Sequence, residues 1–306
     1  MTEFSKLKDL PKRPFRTLVG SSILLLYGLG PFLMLIVYYY AYKGSLACII
    51  LSALQIIAQI FAKRSQTYLN LLRYLDLELY FDAFTFETVD GPINQDKSLF
   101  AVHPHGIFSL GMFLNNHRDH FGKNAVVCGS RMVTIAPIMG LLHKLGGMVS
   151  VNPESLQQIM KKGNNIALLP GGFEEATISS RKENRIFIKS RKGFIKYAIR
   201  YGYKVYPTFV FNENRIYNYF DKYENFRLFL NKFKLVGVIF WSKLGMLPEF
   251  NHEIHTVVGK PMDLPHIENP SQDIVEKYHT QYIEQIQALY EKYSKIYNVK
   301  EELKLY

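Results

Sequence analysis

The sequence predicts an α/β protein carried on an N-terminal transmembrane helical hairpin. Three observations predict it. Two uncharged apolar runs stand close together near the N-terminus, Leu18–Tyr42 and Gly44–Ala62, with only Lys43 between them. Beyond residue 97, short apolar runs alternate with helical stretches, the pattern of a largely parallel sheet with crossover helices. A last stretch, Ser271 to Asn298, repeats apolar residues at helical spacing and closes the domain. The expected divisions are a cytosolic basic tail (1–17), a membrane hairpin (18–62), an amphipathic connector (63–97) and an α/β domain (98–306).

Composition narrows the class. A chain of 306 residues can bury a substantial core without a covalent staple. Its 48% hydrophobic and 21% charged residues exclude a disordered chain. Two cysteines, Cys48 and Cys128, exclude a disulfide framework and a Cys-rich zinc site. No Asn-x-Ser/Thr acceptor occurs, in keeping with a chain facing a reducing compartment. The 21 Tyr and 22 Phe against one Trp suit work beside lipid.

Each apolar run is close to the ~20 residues that a spanning helix needs. A cleavable signal peptide fits poorly, because its apolar region is ~7–15 residues and here a second apolar run follows at once. Gly28, Gly30 and Pro31 would kink the first helix, which neighbouring helices can tolerate in a membrane. Lys6, Lys8, Lys12, Arg13 and Arg16 precede the hairpin, and Lys63, Arg64 and Arg73 follow it. Basic residues at both ends place both ends in the cytosol. These basic flanks, in a chain of net charge +11, would meet the anionic cytosolic leaflet favourably, and nucleic acid is not expected as a partner.

In the connector, Tyr68, Leu71, Leu72, Leu75 and Leu79 read as one amphipathic helix over 66–90, broken by Asp90-Gly91-Pro92. Strands are expected at Ser98–His103, Ala125–Gly129, Met148–Val151, Ile166–Leu169, Val205–Phe211 and Thr256–Val258. Helices are expected at about 107–121, 136–145, 154–162 and 191–201. The third is well marked, with Asn152 as its cap, Pro153 in its first turn and Gly163 at its end.

The densest polar signal is His103-Pro104-His105-Gly106, directly after an apolar strand. Open α/β sheets place their ligand crevice at such strand ends. A histidine's ordinary pKa lies near neutrality, so it can take a proton from an alcohol. His-Pro-His also offers two metal ligands, but spacing supplies no third. The second signal is Pro170-Gly171-Gly172-Phe173-Glu174-Glu175-Ala176, again after a strand. Its backbone N–H groups could bind an oxyanion, and Glu174 or Glu175 could orient an imidazole. The third is a basic block from Arg181 to Lys204, opposed in sequence only by Glu183, which reads as a solvated face or as a site for a phosphorylated carrier. Cys128, in an apolar strand, reads as a structural thiol rather than a nucleophile. No Gly-x-Ser-x-Gly elbow supports a serine hydrolase.

These motifs together resemble the type 2 diacylglycerol acyltransferase family, which includes monoacylglycerol and wax-alcohol acyltransferases. The resemblance is carried by His103-Pro104-His105-Gly106, by the Pro-Gly-Gly-Phe-Glu-Glu-Ala run, and by Arg191-Lys192-Gly193-Phe194 with Lys196, Ala198, Arg200 and Gly202. Phe211 with Glu213-Asn214, and Thr256-Val257-Val258-Gly259 with Pro261, extend it across nearly the whole chain. The family is similar in outline to glycerolipid acyltransferases that use a His-x4-Asp dyad. This chain departs from the dyad, since no acid stands at that spacing after either histidine. It also has Tyr80-Phe81-Asp82 where the family often has Tyr-Phe-Pro, and Phe173-Glu174 where animal members carry small residues.

The resemblance implies a glycerolipid-acyltransferase-like α/β domain on the cytosolic face of the endoplasmic reticulum. It implies transfer of an acyl chain from acyl-coenzyme A to diacylglycerol, with monoacylglycerol or a long-chain alcohol as the other acceptors. By the same resemblance His105 is the general base, Glu175 holds its imidazole and His103 braces the turn. Gly106, Gly171, Gly172, Arg191 and Lys192 would contact substrate or the oxyanion. Coenzyme A is a co-substrate here, and neither a resident cofactor nor a metal is implied. Membrane lipids are the expected partners, and a homo-oligomer or residence on lipid droplets is compatible with the sequence. A lipid-binding scaffold with a dead site is the non-enzymatic alternative, against which the intact histidines and glutamates stand.

Overall fold

The computed structural model describes residues 13–93, 96–233, 235 and 237–306. The expected basic tail therefore lies mostly outside the described residues, Lys6, Lys8 and Lys12 included. The first apolar run forms helix α1 (Arg13–Tyr42), which starts inside the segment expected to be tail and continues through Pro31. Lys43 and Gly44 make the turn, with Gly44 at φ +89°. Helix α2 (Leu46–Phe61) then packs back on α1.

The two helices are not equivalent. Gly20–Tyr42 is long and apolar enough to cross a bilayer, whereas α2 has 16 residues and bends by 102° into the next helix. The reason is visible in its sequence. Gln55 and Gln59 interrupt the apolar run and are buried, and Gln59 Nε2 donates to the carbonyls of Thr134 and Ala136 at 3.2 Å each. These bonds dock the end of α2 on the α/β unit.

The helix expected over 66–90 stops early. Helix α3 (Gln66–Leu75) ends at Asp76, which adopts a left-handed conformation. After a single tight turn, residues 83–88 form strand β1 (Ala83–Thr88). Here Phe84 and Phe86 alternate with Thr85 and Glu87, a period of two that long-range pairing selects over the helix.

The α/β unit continues through β2 (Ser98–His103), α4 (Leu110–His117), β3 (Val126–Gly129), α5 (Arg131–Ile135), α6 (Met139–Leu145) and β4 (Val149–Ser150). Then come α7 (Pro153–Lys161), β5 (Ile166–Leu168), α8 (Gly172–Thr177), β6 (Asn184–Ile186), α9 (Gly193–Tyr201) and β7 (Lys204–Phe211). The chain ends with β8 (Asn218–Tyr219), α10 (Glu224–Asn231), β9 (Phe240–Trp241), β10 (Glu253–Val258), α11 (Gln272–Ile296) and β11 (Leu303–Leu305). Helix α7 has the expected cap, as Asn152 Oδ1 accepts from the Ser155 N–H at 2.8 Å. The elements unforeseen from the sequence are short (α5, α8, α10, β6, β8, β9 and β11), apart from β1.

Seven strands form the main sheet in the order β1-β10-β7-β2-β5-β3-β4, parallel except where β10 meets β7. Strand β2 is buried on both faces, as a central parallel strand must be. Leu99 and Ala101 face one core, with α7, α9 and α11, while Phe100 and Val102 face the other, with α3 and α4. Because Leu99 pairs with Ile166 and Ala101 with Leu168, the C-terminal ends of β2 and β5 emerge side by side. That register brings the histidine cluster and the glycine turn, 60-odd residues apart in sequence, to one edge of the sheet.

Candidate active site

Glu175 is the hub. It is fully buried at the first turn of α8, and three donors converge on its carboxylate. His103 Nδ1 lies 3.0 Å from both oxygens, the His105 backbone N–H donates to Oε1 at 2.8 Å, and the Phe187 N–H donates to Oε2 at 2.9 Å. The expectation that Glu175 holds the His105 imidazole is therefore corrected. Its carboxylate holds the His103 ring and the backbone of His105. The reason is the strand's pleat and turn: His103 still belongs to buried β2, whereas His105 has already left it. The His103 ring is held by Glu175, and its Nε2 is buried without a partner.

The His105 ring faces elsewhere. It lines a cavity of about 650 Å³, together with Ser109, Glu174, Arg191 and Lys192 on its polar margin. Its Nδ1 lies 3.1 Å from the Gly106 carbonyl and 3.4 Å from Ser109 Oγ, whose own proton goes to the His105 carbonyl at 2.9 Å. A carbonyl can only accept, so Nδ1 carries the proton and Nε2 keeps its lone pair. Burial pushes the His105 pKa below the ordinary histidine value, and the nearby Glu175 charge opposes that shift. That direction favours the neutral ring. Ser109 touches the Nδ1 side of the ring, away from the lone pair.

The two glycines of the turn have different reasons to be glycine. A Cβ at Gly171 would lie 2.0 Å from Glu175 Oε2, so the close approach of the carboxylate forbids a side chain. Gly172 has φ +56°, a left-handed conformation. Its N–H donates to the Leu169 carbonyl at 3.2 Å, so the turn itself uses the donor that was expected for an oxyanion. Gly171→Ala is expected to displace Glu175, destabilise the fold by about 1–3 kcal/mol as overpacking does, and lower activity with it. Thermal unfolding and activity of the purified protein in one detergent check both.

Glu174 and Glu175 divide the roles that the sequence left open. Glu174 turns outward and pairs with Arg191 at 2.5 Å, on the cavity wall. Arg191 also stacks on the Phe187 ring at 5.1 Å, while Lys192 pairs with Glu276 and likewise reaches the cavity. The rest of the basic block is largely neutralised by acids distant in sequence. Arg181 meets Glu249, Lys182 meets Asp221, Arg185 meets Glu224, and Lys204 meets Asp263. A one-signed basic face is thus a property of the sequence and not of the folded surface. Cys128 borders the cavity, but burial pushes its thiol up to about 12, which fits a structural role. Among the described residues, no group of three or more His, Cys, Asp or Glu side chains is placed to hold a metal ion.

Sequence reasoning assigned Glu213 no role. It is buried under the histidine turn, where a Cβ on Gly106 would come within 2.8 Å of its Cγ. Its carboxylate accepts from the Leu110 and Gly111 N–H groups at 2.8 and 2.9 Å, at the N-terminus of α4, and burial pushes its pKa to about 7. The signal was present, since Asn212-Glu213-Asn214 ends β7 just as the histidines end β2.

The family model for diacylglycerol acyltransferase matches residues 38–306. Diacylglycerol O-acyltransferase 2-like protein 6 from Homo sapiens is 30% identical over 66% of this chain and 68% of its own length. Diacylglycerol O-acyltransferase 2 from Dictyostelium discoideum is 34% identical over 64% and 65%. The chain thus spans about two thirds of the length of these relatives. Acyl-CoA wax alcohol acyltransferase 1 from Homo sapiens is 27% identical over 80% of each chain. Among solved structures, the 1-acyl-sn-glycerophosphate acyltransferase PlsC from Thermotoga maritima aligns over 92% of this chain and 98% of that one, at 10% identity and a TM-score of 0.47.

Proposed function

Because the chain belongs to the diacylglycerol acyltransferase family, we propose that it is an acyl-CoA-dependent O-acyltransferase that converts diacylglycerol to triacylglycerol. The observation that carries the reading is the buried His105 ring on a largely apolar cavity, with its Nδ1 facing the Gly106 carbonyl. The acceptor hydroxyl gives its proton to Nε2 as its oxygen attacks the thioester carbon. The tetrahedral intermediate then collapses, the C–S bond breaks, and the coenzyme A sulfur takes the proton from the imidazolium. Glu175 positions this base through the backbone, and its charge favours the transient imidazolium. Arg191 and Lys192, which pair with Glu174 and Glu276, could exchange those partners for the phosphates of the donor.

Expression in a host lacking triacylglycerol synthesis, followed by neutral-lipid analysis with competing acceptors, tests the reading. Triacylglycerol should predominate. A predominance of wax esters would move the acceptor to a fatty alcohol, a reading that the likeness to the wax alcohol acyltransferase supports.

The same reading places the chain on the cytosolic face of the endoplasmic reticulum, with α1 and α2 in the bilayer and both termini cytosolic. It is supported by the apolar length of α1 and the basic residues on either side of the pair. Protease treatment of sealed microsomes is expected to remove tags from both ends. Protection of one end alone would reject this topology.

A further inference from the structure

We infer that helix α1 forms the wall of the acceptor-binding half of the cavity, so that the hairpin selects the lipid acceptor as well as holding the chain on the bilayer. The inference rests on the acyl-transfer reading and adds where the acceptor enters. Leu24 and Tyr27 of α1 line the same cavity as His105. The Tyr27 ring packs on His143 of α6 with centroids 4.9 Å apart, and its hydroxyl meets that of Tyr68 at 3.0 Å. A tether would need none of these contacts.

Glycines bring the helix this close. A Cβ at Gly20 would lie 2.6 Å from Leu77, one at Gly28 3.4 Å from Phe108, and one at Gly30 2.8 Å from Ile138. Leu77 and Phe108 are themselves cavity residues, so the α1 backbone rests directly on the chamber. Further along the same helix, Phe32, Leu33, Leu35 and Ile36 are each more than half exposed. One helix therefore offers an apolar surface to lipid and two side chains to the chamber.

Charge assigns the two ends. The charged lining, Glu174 paired with Arg191 and Lys192 paired with Glu276, gathers at the start of α9, where a phosphate-bearing donor can compete for the two cations. The end formed by Leu24, Tyr27, Leu72 and Leu77 carries no formal charge. An uncharged acceptor loses nothing by leaving the bilayer for such a surface, whereas a polyanionic donor would lose its hydration without compensation. The acyl tails of the acceptor thus pass beside α1 while the donor arrives from the charged end.

The test uses the full chain in membranes, with long-chain (dioleoyl) and short-chain (dihexanoyl) diacylglycerol as acceptors. Leu24→Trp is expected to lower kcat/KM for the long-chain acceptor about 10-fold or more, and for the short-chain one by less than about threefold, as pocket shape discriminates chain bulk. The KM for acyl-coenzyme A should not move. Leu33→Trp, on the exposed surface, should leave both acceptors unaffected. An equal loss for the two acceptors at normal protein level, a raised KM for acyl-coenzyme A alone, or no effect of Leu24→Trp would each overturn the inference. If Leu24→Trp fails to accumulate, Leu24→Phe takes its place in the same comparison. Should the wild-type protein acylate only fatty alcohols, the acceptor reading fails, and a long and a short alcohol then decide the role of α1 separately.

Discussion

His105→Ala is expected to reduce acyl transfer by about 10²–10⁴-fold, the usual cost of losing a general base, with protein level and membrane association unchanged. The reason is positional. His105 is the histidine on the cavity, whereas His103 is sealed behind it against Glu175. Removing the His105 ring opens space into a chamber and takes one donor from the Gly106 carbonyl, but leaves the Glu175 network whole. A rate loss far out of proportion to any stability loss is the signature. The acid limb of the pH profile supplies the second readout. The base works only when neutral, and burial holds its pKa below the ordinary histidine value. Wild-type kcat/KM should therefore fall only as pH drops below that value, and the residual activity of His105→Ala should lack this limb. Retention of most activity by His105→Ala at normal abundance would sink the assignment.

Glu175→Gln is expected to lower activity by roughly 10–10³-fold, the range found when a group supporting a base or its charge is neutralised, and to destabilise the fold as well. The carboxylate accepts from three converging N–H groups. An amide offers one oxygen, and its NH2 would face a donor. At least one buried donor is then unpaired, at about 1–3 kcal/mol. The combination separates this residue from His105, whose loss should shift unfolding little. Adding Glu175→Gln to His105→Ala should cost little further activity, because groups that act as one unit are not additive. A Glu175→Gln protein with wild-type activity and unfolding temperature would remove Glu175 from the machinery altogether.

Much of this was legible in the residues. Strands β2, β5 and β7 are short apolar runs that any burial argument finds, and α7 carries its own cap and stop. The two polar clusters were recognisable because each follows such a strand. Strand β1 was not, because leucines at helical spacing in α3 run straight into it and only pairing with β10 selects the strand. Nor was the neutralisation of the basic block, since its acids lie up to 80-odd residues away.

By itself the sequence determined which short apolar runs are buried strands, that the first apolar run is long enough for a bilayer, and which residues have chemistry to offer at the sheet edge. Those are properties of composition and of local period, which act within a few residues. The tertiary structure decided what each of those residues does. It turned the Glu175 carboxylate onto the His103 ring and the His105 backbone, gave the Gly172 N–H to the turn, and set Glu174 on Arg191. It also laid α1 against the chamber. Hydrogen bonds depend on direction and on distances of about 3 Å, and neither is fixed until separate strands and helices have packed against one another.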